Sequence, residues 1–148
     1  MLRMSRLTDY GIVLLTHLAA GPLEAIHNAR ELAESAHLPL PVVSKILKVL
    51  TREGFLVSQR GARGGYALAR RPEDVTVVAV IDALEGPIAL TECGAGSCER
   101  ESSCVVRAPW QRINRVVRKS LEDVRLADLI TPPPFASPSS SQEPLNAQ

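Results

Sequence analysis

Cys93, Cys98 and Cys104, the only cysteines of the chain, fall within twelve consecutive residues of a stretch rich in glycine and serine. Thiolates at this spacing can wrap one metal centre, because the backbone of Gly94, Gly96 and Ser97 tolerates the tight turns that a wrap demands. Three thiols cannot all pair as disulfides, and with no apolar leader the chain is expected in the cytoplasm, where disulfides rarely persist. Metal ligation is the chemistry this clustering favours. Thiolate donors suit zinc or an iron-sulfur cluster. The gaps between these cysteines are wider than the C-x-x-C pairs of structural zinc sites, and no nearby fourth Cys or His completes a tetrahedron. Three cysteines with one weaker ligand from elsewhere suit a cluster, of either the 2Fe-2S or the 4Fe-4S type. The competing readings are three surface thiols gathered by chance and a small zinc- or thiol-dependent oxidoreductase. The oxidoreductase lacks support, since there is no C-x-x-C redox pair and no dinucleotide fingerprint.

A second chemistry lies upstream. The net charge of the whole chain is only +1, yet residues 41 to 72 carry Lys45, Lys48, Arg52, Arg60, Arg63, Arg70 and Arg71 against Glu53 alone. Residues 73 to 106 reverse the balance, with seven acidic residues against Arg100. The basic block suits a polyanion, although most charge runs are simply solvated faces. Aromatics make up 3% of the residues, too few to build stacking platforms for unpaired bases, so double-stranded DNA is the better partner. No apolar run approaches membrane-spanning length, and nothing suggests a small-molecule substrate pocket.

The elements that would position these residues follow from periodicity and punctuation. Apolar spacing predicts a helix from about Thr8 to Ala20, stopped by Gly21-Pro22. Asn28 and Glu31 form a capping-box pattern that opens a second short helix, with a turn at His37-Leu38-Pro39. A third helix is expected from Pro41, at its first position, to Gly54 just past its end. Val43, Ile46, Leu47 and Leu50 form its core stripe, and Ser44, Lys45, Lys48, Thr51 and Arg52 its polar face. Two strands, Phe55–Gln59 and Tyr66–Leu68, flank a loop rich in glycine and arginine. Three helices and a hairpin make the order of a winged helix-turn-helix, in which the third helix enters the major groove and the wing lies on neighbouring backbone or minor groove, a narrow one suiting Arg60 and Arg63. A fourth helix is predicted at Thr76–Glu85. A long one from about Pro109 to Val124 carries Trp110, Ile113, Val117, Leu121 and Val124 as a candidate dimer seam, or as a stripe packed on its own domain.

The expected fold class is thus mainly α with a small β-hairpin. The winged helix-turn-helix DNA-binding domain would occupy residues 1–87, a cysteine-rich cluster-binding loop 88–107, a long C-terminal dimerisation helix 108–130 and a disordered tail 131–148.

Leu7-Thr8-Asp9-Tyr10, the helix from Pro41 to Glu53, the wing from Arg60 to Tyr66, the spaced cysteines and the long helix after them together resemble the IscR/NsrR type of bacterial transcription regulator, the Rrf-two family. The resemblance covers roughly residues 1 to 130 and implies a homodimeric DNA-binding repressor with one iron-sulfur cluster per subunit, bound to a palindromic operator. It also implies that Cys93, Cys98 and Cys104 are the ligands, while the polar face of the third helix and the wing make Ser44, Lys45, Lys48, Arg52, Arg60 and Arg63 the expected DNA contacts. The opening looks most like the branch that controls the SUF genes for iron-sulfur cluster assembly, with the nitric-oxide-sensing branch a close rival. In the typical cluster-assembly regulator a histidine follows the third cysteine by three residues, where this chain has Arg107, and its first cysteine spacing is one residue shorter. Similarity to the nitric-oxide-sensing branch at Thr8-Asp9 implies instead that Asp9 of the partner subunit is the fourth ligand. Glu92, Glu99 and His37 are alternatives.

Overall fold

A computed structural model describes residues 3–94 and 98–130. The elements run α1 (Arg6–Ala19), α2 (Ala29–Ala36), α3 (Leu40–Arg52), β1 (Leu56–Gln59), β2 (Gly65–Leu68), α4 (Val77–Leu84), α5 (Arg107–Glu122) and α6 (Leu126–Ile130). The expected tail lies outside the described residues. Among these residues no helix is long and apolar enough to cross a membrane.

Side chains that satisfy free backbone N–H groups decide where α1, α2 and α4 begin. Ser5 accepts from the Thr8 amide and starts α1 two residues before the apolar periodicity does. Asn28 Oδ1 accepts from the Glu31 amide at 2.9 Å, and Glu31 Oε2 accepts from the Asn28 amide at 3.2 Å, so both halves of the capping box exist. His37 closes α2 with φ 54°, the left-handed turn that aims α3 across α2. Leu40 is already helical, so Pro41 takes the second position of α3 rather than the first, where its missing N–H is equally harmless.

The core forms where the inner faces of α1, α2 and α3 meet. Leu14, Leu15, Val43, Ile46, Leu47 and Leu50 have no exposed surface, and each of the leucines contributes roughly 1.5–3 kcal/mol by leaving water. Helix α4 packs on α1, a close approach that Gly11 permits: a Cβ there would run into Leu84 Cδ1. Strands β1 and β2 pair antiparallel from Leu56 opposite Leu68 to Gln59 opposite Gly65. A third strand fragment joins this hairpin, since His27 and Tyr66 exchange backbone hydrogen bonds of 2.9 and 2.8 Å. Gly65 makes that approach feasible, because a Cβ there would stand 2.5 Å from the His27 carbonyl oxygen.

The C-terminal helix differs from expectation. Helix α5 ends at Glu122, and the chain turns back into the DNA-binding unit, where Val77 N–H donates to Val124 O at 2.9 Å and Leu126 N–H to Val75 O at 2.8 Å. Leu126, the first residue of α6, is buried in the core.

Candidate nucleic-acid interface and cysteine loop

Burying its apolar stripe fixes the rotation of α3 and turns Lys45, Lys48 and Arg52 outward, within about 60° of one another at 3.6 residues per turn. Ser44 lies half-buried at the edge of this face, and the Thr51 hydroxyl is turned inward, donating to Leu47 O at 2.7 Å. Among the described residues Arg52 pairs only with its neighbour Glu53, at 3.1 Å in full view of solvent, a contact that ions or phosphates readily replace. Arg60 and Arg63 stand exposed on the wing. Among the described residues no ion pair occupies Lys45, Lys48, Arg60 or Arg63. Between α3 and the hairpin lies a hollow of about 290 Å³ lined by Lys48, Thr51, Arg52, Ser58 and Tyr66. Ser58 and Tyr66 face each other across the hairpin and were not anticipated in this surface. Their signal in the sequence was the strand alternation leading away from the Gly64-Gly65 turn.

The cysteine loop runs from the end of α4 to the start of α5. Cys93 sits in a short 3-10 turn, Glu92–Gly94. Cys98 O accepts from the Glu101 amide at 3.1 Å, and Cys104 O from the Arg107 amide at 3.3 Å. All three thiols are free and half-buried. Cys93 faces a hollow of about 620 Å³ whose other walls include Glu101, Asn114, Arg115 and Arg118. Among the described residues no three or more Cys, His, Asp or Glu side chains converge closely enough to hold a metal ion. The loop thus gathers the thiols on one segment without drawing them to one centre. The donor set is nevertheless of the kind an iron-sulfur cluster takes: free thiols in a glycine-bearing loop, with carboxylates at Glu92 and Glu99 beside them.

Asp9 is exposed in the first turn of α1, outside this loop. That turn is tied to the root of the loop, because Glu85, the residue capping α4, accepts from the Ser5 amide. Hydrogen bonds from the Ser5 and Thr8 side chains hold the Glu85 carboxyl below its ordinary range. His37 is placed in the turn between α2 and α3, beside Arg30 and Glu34, and does not join the cysteines.

The expected seam on α5 divides by exposure. Trp110, Val117 and Leu121 are half-buried, the latter two lining a hollow with Ile81 and Pro87 of their own domain. Ile113, about 40° from Val117 around the helix, stays open to solvent. With Val106 and Val116 it forms an apolar face that stays 42 to 60% exposed, on a helix with no buried residue.

Residues 4–132 match the family model of Rrf2, an iron-dependent transcriptional regulator. The chain is 29% identical over 131 residues to Protein rrf2 of Nitratidesulfovibrio vulgaris, covering 87% of each. Among solved structures it is similar to CymR, the global cysteine regulator of B. subtilis, with a TM-score of 0.69 and 28% identity over 88% of this chain and 97% of that one. It is similar also to IscR of T. potens, with a TM-score of 0.68 and 29% identity over 87% and 86%. The winged helix-turn-helix expectation holds in these relatives, which are regulators and not enzymes, so the oxidoreductase alternative falls away. A helix-turn-helix with a glycine-built wing, three loop cysteines and this match across most of its length agree: the chain belongs to the Rrf2 family of transcriptional regulators.

Proposed function

We propose that the chain is a homodimeric regulator, a repressor of iron-sulfur cluster assembly (SUF) genes, whose grip on a palindromic operator depends on one iron-sulfur cluster per subunit. Cys93, Cys98 and Cys104 would hold the cluster, with Asp9 of the partner subunit as the fourth ligand. The observation that carries this is the placement of three free thiols on the single segment joining the DNA-binding unit to α5. When bound, a cluster supplies metal-sulfur bonds that oxidants and nitric oxide attack, and a carboxylate beside three thiolates is the ligand first to exchange. In each subunit Lys45, Lys48 and Arg52 would read the major groove and Arg60 and Arg63 would steady the wing on phosphates. Two such units bind one operator only if their recognition helices stand one helical repeat apart, and α5, through its exposed apolar face, would set that distance.

Protein isolated without air should contain iron and acid-labile sulfide, and Asp9→Ala should shorten cluster lifetime. Duplex selected from a random library then supplies the operator for gel shifts of loaded protein, cluster-free protein and the triple Cys→Ser variant. Equal affinity in all three overturns cluster control. The separation of the described thiols favours a second reading, a regulator that works without a cluster. Metal-free protein with full operator affinity would establish it.

A further inference from the structure

Beside the apolar contribution of Val117 and Leu121, helix α5 meets the rest of its chain through polar contacts set along one face. Arg107 pairs with Glu101, between Cys98 and Cys104, at 3.3 Å. Asn114 Oδ1 accepts from the Leu90 amide at 2.9 Å and its Nδ2 donates to Thr91 Oγ1 at 3.4 Å, two residues before Cys93. Arg118 forks onto Asp82 of α4 at 3.2 and 2.7 Å and also reaches Glu122 at 3.2 Å. Residues 107, 114 and 118 lie within about 40° of one another around a helix of 3.6 residues per turn. The order along that face is cysteine loop, cysteine loop, DNA-binding unit. Beyond Glu122 the helix has no freedom, because Val124 and Leu126 are bonded to Val77 and Val75.

We infer that Asn114 and Arg118 are positioning residues through which the state of the cysteine loop reaches the recognition helices. This rests on the function proposed above. A displacement of Leu90 and Thr91 moves Asn114, and Asn114 is one turn from Arg118. Through its fork onto Asp82, Arg118 then turns α4, which packs on both α1 and α3. The fork matters because a two-point contact fixes orientation as well as distance. Arg118 also lines the hollow that Cys93 faces, so it senses the loop from two sides.

The measurement is the ratio of operator affinities between loaded and cluster-free protein, on the order of 10-fold or more in a coupled regulator. Asn114→Ala should bring that ratio to within about 2-fold of one with iron and sulfide content intact, and should raise hydrogen exchange at the Leu90 amide even without cluster. Asp82→Arg and Arg118→Asp should each do the same to the ratio, and the two together should restore it, which a merely structural role does not require. Should Asn114→Ala fail to fold, Asn114→Asp keeps the acceptor for Leu90, loses the donor to Thr91, and should lower the ratio in part. Unchanged ratios in folded variants overturn the inference while leaving the proposed function standing. A ratio of one in the unmutated protein overturns the proposed function itself, and the inference with it.

Discussion

Replacing Val116 by glutamate tests whether α5 meets a second copy through its outer face. Val116 is 60% exposed, Val106 47% and Ile113 42%, and of these Val116 lies directly opposite the polar contacts of Arg107, Asn114 and Arg118. Full burial of a side chain of this size stabilises by roughly 1.5–3 kcal/mol, so covering what remains of Val116 is worth about 1 kcal/mol. A two-fold seam counts every residue twice, which makes about 2 kcal/mol per dimer for Val116 alone. A carboxylate there would lose that gain, and two carboxylates facing each other across a desolvated seam cost roughly 2 kcal/mol more. A loss of about 4 kcal/mol is close to a thousandfold in the dissociation constant of the dimer. Sedimentation equilibrium at micromolar protein should therefore show Val116→Glu as monomer, with unchanged helix content by circular dichroism. Operator affinity should fall with it, because two half-sites engaged independently lose their effective concentration. Val57→Glu is the matched control: it places the same charge on a similarly open valine of β1, away from the seam, and should leave the dimer intact. If Val116→Glu sediments as the unmutated protein does, the partner meets some other surface and the account of α5 is wrong.

Gly65→Ala should break the exchange of hydrogen bonds between His27 and Tyr66, two bonds worth about 1 kcal/mol each, and should lower the midpoint of urea unfolding accordingly; an unchanged midpoint would show that the strand fragment is dispensable. Arg63→Ala should weaken operator binding uniformly across sequences and reduce the slope of log affinity against log salt by about 1 for each phosphate that the arginine neutralises, whereas an unaltered slope would place the wing off the backbone. The Glu85 carboxyl is held low by the Ser5 and Thr8 side chains, so its contribution is complete above the ordinary carboxylate range and fades as pH falls through its lowered value in the folded protein. Being exposed it is worth only a few tenths of a kcal/mol, and the melting temperatures of the unmutated protein and Glu85→Gln should draw together below about pH 4; curves parallel at every pH would refute this.

What the sequence made legible were features whose cause is local. The capping box at Asn28 and Glu31, the core stripe of α3 and the glycine-built wing all follow from interactions within a few residues, and each stands where it was expected. The exchange between His27 and Tyr66 was not legible, because one paired residue has no period and its partner lies far along the chain. Helix α5 shows the same limit in another form. Apolar steps of three and four residues marked it as amphipathic, yet both its flanks carry large apolar side chains, and spacing alone does not tell which flank faces home. The structure assigns Val117 and Leu121 to the chain's own domain and leaves Val106, Ile113 and Val116 open. Helix α6 escaped notice because five residues are too few for a helix to stand by itself; Leu126 is held by burial and by its bond to Val75. The cysteines fall between these cases. Their number and spacing spoke for a shared centre, and the loop does keep them on one segment, but among the described residues no group of metal-ligating side chains draws the thiols together. If a cluster is what gathers them, folding of the loop and loading of the metal are one event, and the contacts of Asn114 with Leu90 and Thr91 are where that event first reaches a rigid helix.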